Sequence, residues 1–199
     1  MVFFLTVDDR LQLREGVLLR GGFTPSLVFQ GKGTGSIVTH MFLHADAYHL
    51  LSNMLALLWL GAALESRVGS GRFLLVYMGC GTLAALIFGL LDPGSTTPAV
   101  GASAAIFGVM GNLALLYPTS FVIVLVIPVP VVLIAILYAL ATISTIQSGY
   151  AGPIGHIAHL AGMASGMGLA FPMNPEDALK GLGIFTLCFV AILVMMQLL

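Results

Sequence analysis

The stretch RFLLVYMGCGTLAALIFGLLDPG, residues 72–94, decides the fold. Between Arg72 and Asp92 it carries no charge, and it has the length of the roughly 20 apolar residues that a helix needs to cross a bilayer. Reading outward, Asp92 is the sole formal charge from residue 73 to residue 175. The chain of 199 residues is 59% hydrophobic and 8% charged, against about 25% charged in a soluble domain. A chain this small still exposes much of its surface, so the solvent for such a composition is lipid.

The same reading, cut at charge clusters and Gly/Pro breaks, predicts five spanning helices and a short one. They cover residues 46–64, 73–91, 102–117, 131–146, 155–171 and 182–199. The third, stopped by Tyr117-Pro118, is roughly four turns long, too short for a bilayer, and so leaves a cavity above it. Residues 8–39 form the one polar, irregular segment, and an apolar connector broken by Pro128 and Pro130 follows the short helix. Arg67 and Arg72 place the turn between the first two helices in the cytoplasm. Alternation then puts residues 92–100 and 148–154 outside.

Composition also excludes function classes. With a net charge of −1 and seven Lys and Arg, the chain lacks the basic patch that nucleic acid requires. Cys80 and Cys188 stand inside apolar segments and read as small buried hydrophobes. No phosphate-binding or metal motif implies a cofactor.

Polar residues inside membrane helices are costly and therefore informative. His44, His49 and Asn53 stand at the start of the first helix, His49 and Asn53 four apart on one face. Ser103 starts the short helix, and His156 and His159 lie in the first turns of the fifth. These three helices run outside to inside, so the three polar clusters share one depth. Acyl transfer needs such a set: a serine made nucleophilic by a neutral histidine, and donors preplaced for an oxyanion. Gly108, Gly111, Gly162 and Gly166 permit close approach of the third and fifth helices. Each residue also has a plainer reading. A serine among Gly and Ala is more often a packing residue, His49 and Asn53 suit an interhelical hydrogen bond, His156 suits a structural one, and Phe107 suits core filling. Glu65 and Arg67 read as a solvated helix end with an ion pair or cap.

Four blocks resemble the rhomboid family of intramembrane serine proteases: HADAYHLLSN from His44 to Asn53, GASAAIFG from Gly101 to Gly108, AHLAG from Ala158 to Gly162, and, more weakly, GAALESR from Gly61 to Arg67. The resemblance spans residues 39–171. It implies an all-α, polytopic helix bundle with a six-helix core and one added C-terminal helix. In that scheme residues 1–7 are the remnant of a truncated first helix and residues 8–45 a first loop partly embedded in the membrane. Residues 46–173 are the catalytic bundle, and residues 174–199 a turn and additional helix. It further implies a dyad in which Ser103 is the nucleophile and His159 the base. His49, Asn53 and the Ser103 backbone N–H form the oxyanion hole, supported by Gly101, Phe107 and His44. Ala104 follows the serine where the family usually has glycine.

The function so implied is hydrolysis of transmembrane protein substrates near the outer face of the cell membrane, by a multi-pass protein whose other partner is the lipid bilayer, with no nucleic acid and no metal. Two other classes fit parts of the pattern. One is a catalytically silent, rhomboid-like protein that binds and escorts membrane proteins, which the presence of both Ser103 and His159 argues against. The other is a metal transporter using His44, His49, His156 and His159, which would leave the serine without a role.

Overall fold

The computed structural model describes residues 15–124, 127–148 and 153–198; the expected remnant at residues 1–7 lies outside them. Nine helices and one hairpin follow in order among the described residues. Three short helices, α1 (Glu15–Gly21), α2 (Pro25–Val28) and α3 (Ser36–Thr39), lead through a 3₁₀ turn, His40–Phe42, into α4 (Ala47–Val68). Then come α5 (Ser70–Leu91), α6 (Ser103–Leu116), the strands β1 (Phe121–Val124) and β2 (Ile127–Pro130), α7 (Val131–Ser148), α8 (Pro153–Met173) and α9 (Pro175–Leu198). The architecture is an all-α polytopic bundle. Helices α4, α5, α7 and α9 are long and apolar enough to cross a membrane.

The 14-residue α6 is the axis of the bundle. At 1.5 Å per residue it rises about 21 Å, short of the roughly 30 Å hydrocarbon core, and it is buried nearly all round, as a uniformly apolar helix should be. Helix α8 packs on it most closely and α5 fills the groove beside both. The closeness has a local cause. A Cβ at Gly162 would overlap the Ala104 carbonyl, one at Gly166 the Gly108 carbonyl, and one at Gly111 the Met163 carbonyl. Buried Asn112 ties the pair by donating to the Gly166 carbonyl at 3.1 Å. The methyl group of Ala104 is taken up by a cluster of small residues with Ala84 and Ala161. On the outside the pattern inverts: Leu75, Leu90 and Leu187 are each at least 70% exposed, a surface suited to acyl chains rather than water.

Several elements depart from the sequence reading. The connector after α6 folds as an antiparallel hairpin with Phe121 opposite Pro130 and Ile123 opposite Pro128; its Val/Ile-rich runs have strand propensity, and a two-stranded ribbon tolerates proline on its unpaired edges. From residue 15 onward the polar segment is more ordered than irregular. Phe23 and Ala99 exchange both backbone hydrogen bonds at 2.9 Å, and the Ser26 N–H donates to the Ser95 carbonyl at 3.0 Å, so this loop grips the one that precedes α6. Helix α4 contains a π-helical turn, Leu57–Gly61. Helix α9 starts at Pro175, not 182, because Asn174 caps it: the Asp177 N–H donates to Asn174 Oδ1 at 3.2 Å, with proline in the first turn. Arg67 makes no ion pair with Glu65. It donates to the Ala63 carbonyl and lies over the Tyr117 ring at 5.3 Å, closing the end of the bundle where α6 stops.

Candidate active site

The site is assembled at the N-terminal ends of α4, α6 and α8. Ser103 is the first residue of α6, so its backbone N–H belongs to the first turn, where donors have no partner within the helix. His159 projects from the second turn of α8, and the glycine-permitted contact of the two helices brings its Nε2 to 2.7 Å from Ser103 Oγ. Phe107, one turn below the serine, lies against the His159 ring with centroids 4.6 Å apart. Tyr138 of α7 stacks on Phe107 at 4.0 Å and places its hydroxyl 2.8 Å from His159 Nδ1.

His49 approaches from α4, which Asp46 starts by accepting the His49 backbone N–H at 2.7 Å. Its ring tautomer follows from its neighbours. Nδ1 accepts the Ala45 N–H at 3.3 Å, so the ring proton resides on Nε2. That donor faces Gly101: a Cβ built there would stand 2.7 Å from His49 Nε2 and 3.7 Å from Ser103 Oγ. Gly101 also has φ +116°, which side chains of L residues rarely adopt, so both space and backbone require glycine. Asn53 is buried and donates one amide hydrogen to the His49 carbonyl at 2.9 Å, leaving its second for a ligand. His49, Asn53, Ser103, Phe107, Tyr138 and His159 line one cavity of about 620 Å³ between α4 and α7. On the far side of Ser103 a second cavity of about 240 Å³ is lined by Phe23, Phe88, Val100 and Ala158.

His44 stands behind this group rather than on the larger cavity. It is 2% exposed, its ring meets that of His49 edge-on at 5.1 Å, and its Nε2 accepts the Ala102 N–H at 3.5 Å, a long bond that anchors the loop entering α6. The His40 carbonyl holds the same loop through the Gly101 N–H at 2.9 Å. Burial, reinforced by His49, holds the pKa of His44 down to about 4, and burial lowers that of His40. A histidine whose folded pKa lies below its unfolded value of about 6.5 contributes stability that is complete above pH 6.5 and is lost as pH falls toward the folded pKa. The thermal midpoint of the detergent-solubilised protein is therefore expected to drop between pH 6.5 and 4. His44→Gln should lower the midpoint at pH 7 and flatten that dependence; an unchanged slope would remove His44 as its source.

His156 is not brought to the serine: it sits one turn before His159, and its Nδ1 is buried with no hydrogen-bond partner among the described residues. Tyr138 is the site residue that sequence reasoning missed. Its signal was a lone phenol in the middle of an apolar span, with Thr142 one turn later.

Comparison with known proteins identifies the family of the chain. The Rhomboid domain family matches residues 33–176. Rhomboid protease GluP of Bacillus subtilis is 38% identical over 117 residues, 59% of this chain and 22% of that protein. Rhomboid protein 1, mitochondrial, of Saccharomyces cerevisiae is 36% identical over 100 residues, 48% of this chain and 29% of that protein. Rhomboid-like protease 3 of Toxoplasma gondii is 34% identical over 101 residues, 51% of this chain and 37% of that protein. The chain thus spans well under half the length of these relatives. Its apolar helices make it an integral membrane protein, and with the Rhomboid domain covering well over half its length, the chain belongs to the rhomboid family.

Proposed function

We propose that this protein is an intramembrane serine endopeptidase that hydrolyses peptide bonds of transmembrane substrates. The observation that carries the reading is the 2.7 Å contact between Ser103 Oγ and His159 Nε2, at the depth where His49 and Asn53 offer free donors. A serine hydroxyl is a weak nucleophile until a base takes its proton. His159 Nε2 takes it as Oγ bonds to the scissile carbonyl carbon. The oxyanion of the tetrahedral intermediate receives hydrogen bonds from the Ser103 N–H, His49 Nε2–H and Asn53 Nδ2. Collapse breaks the C–N bond while His159 returns its proton to the departing amine, leaving an acyl-serine. Water then attacks that ester, giving a proton to His159, and the second collapse breaks the C–Oγ bond and restores the proton to Oγ.

Access fits such a substrate. The larger cavity opens between α4 and α7 above the short α6, giving room for water and an extended chain. A peptide bond inside a stable helix is shielded from attack, so segments weakened by Gly or Pro are the expected targets. With Arg67 and Arg72 on the cytoplasmic side, cleavage falls near the outer face of the cell membrane. The test is cleavage of a reporter transmembrane segment in proteoliposomes. Wild type should cut it and Ser103→Ala should not; cleavage retained by Ser103→Ala contradicts the mechanism. Substrate binding without cleavage by folded wild type would favour the escort alternative.

A further inference from the structure

His159 has two ring nitrogens, and each has a partner. Nε2 faces Ser103 Oγ at 2.7 Å and Nδ1 faces the Tyr138 hydroxyl at 2.8 Å. For Nε2 to accept the serine proton its lone pair must be free, so the ring proton must reside on Nδ1. A buried N–H needs an acceptor, since leaving it unpaired forfeits its hydration with nothing in exchange. In sites with three members a carboxylate takes this place. Here the stretch from residue 73 to 175 contains one carboxylate, Asp92, which stands at the end of α5, and Asp46 is engaged at the start of α4. The atom that meets Nδ1 is a phenol oxygen. That oxygen has lone pairs to give, and it stands on α7 one turn before buried Thr142. Phe107 packs against both rings, 4.0 Å from Tyr138 and 4.6 Å from His159, whose own centroids are 6.1 Å apart.

We infer that Tyr138 is a positioning residue of this site: by accepting the Nδ1–H of His159 it holds the imidazole in the tautomer and orientation that leave Nε2 free for Ser103. The inference rests on the Ser103–His159 reading and extends it with a third, uncharged member. A phenol fixes the tautomer without placing a fixed charge in the membrane, where an unpaired carboxylate would be expensive.

Tyr138→Phe deletes the one oxygen and keeps the ring against Phe107. In the full chain the expected result is a fall in kcat of about tenfold, the equivalent of one hydrogen bond, with KM for the reporter segment nearly unchanged. Nitrogen-15 NMR of histidine-labelled protein should show His159, identified by the signal lost in His159→Ala, as the Nδ1–H tautomer in wild type and as a mixture in Tyr138→Phe. A merely structural tyrosine would not move that signal. An unchanged kcat and tautomer in a folded Tyr138→Phe overturns the inference. So does an Nε2–H tautomer in the wild type, which decides the matter even where the variant does not fold. Failure of the dyad itself reads differently: Ser103→Ala would then cleave like wild type whatever happens at Tyr138.

Discussion

Gly166→Val is expected to leave no assembled site. The β-carbon would overlap the Gly108 carbonyl, and Gly162 one turn earlier faces the Ala104 carbonyl in the same way. The obstacle in both cases is backbone of α6, which cannot rotate aside as a side chain would. Nor can α6 retreat, since it is buried against neighbours on almost every face. Helix α8 must therefore move away, and with it His159 leaves Ser103. Overpacking a core that can partly relax costs about 1–3 kcal/mol; with backbone on both sides the upper end is the minimum expected here. That is a fall in thermal midpoint of about 6–12 °C for a chain of this size, together with loss of activity. Gly168 on the same helix is the control, because a β-carbon there meets nothing within 4 Å. Gly168→Ala should fold and work normally. Equal midpoints for Gly166→Val and Gly168→Ala would contradict the packing argument.

The second large effect is catalytic. His159→Ala removes the base and should reduce turnover by on the order of 10⁶, while the thermal midpoint stays near that of wild type, since the ring borders a cavity rather than the densest packing. Residues that act as one unit are not additive. Ser103→Ala combined with His159→Ala should therefore be no slower than either alone. A double variant slower by the product of the single effects would mean that the two residues act independently, against the 2.7 Å contact.

The sequence was informative where one physical constraint dominated. The cost of charge in lipid set the spans, and three polar clusters at helix starts set which polar residues could meet: His49, Asn53, Ser103 and His159 do line one cavity. Other features had weaker local signals. The paired strands Phe121–Val124 and Ile127–Pro130 lie in an apolar run that period alone could not separate from buried coil. The helices before α4 are four to seven residues long, too short for a periodic pattern, and are held by tertiary bonds such as that of Phe23 with Ala99. The cap at Asn174 was legible, with proline and two acids behind it, but the apolar run drew the boundary to 182. The π turn at Leu57–Gly61 has no sequence counterpart. Tyr138 escaped because its role depends on which face of α7 meets α6, a matter of packing rather than spacing.

The most direct test of the central claim, that Ser103 is activated by His159, is labelling of the detergent-purified protein with a fluorophosphonate. Wild type should be labelled on Ser103, and label should vanish in both Ser103→Ala and His159→Ala while Gly168→Ala retains it. Label that persists in Ser103→Ala or His159→Ala, or a folded wild type that takes none, would contradict the account.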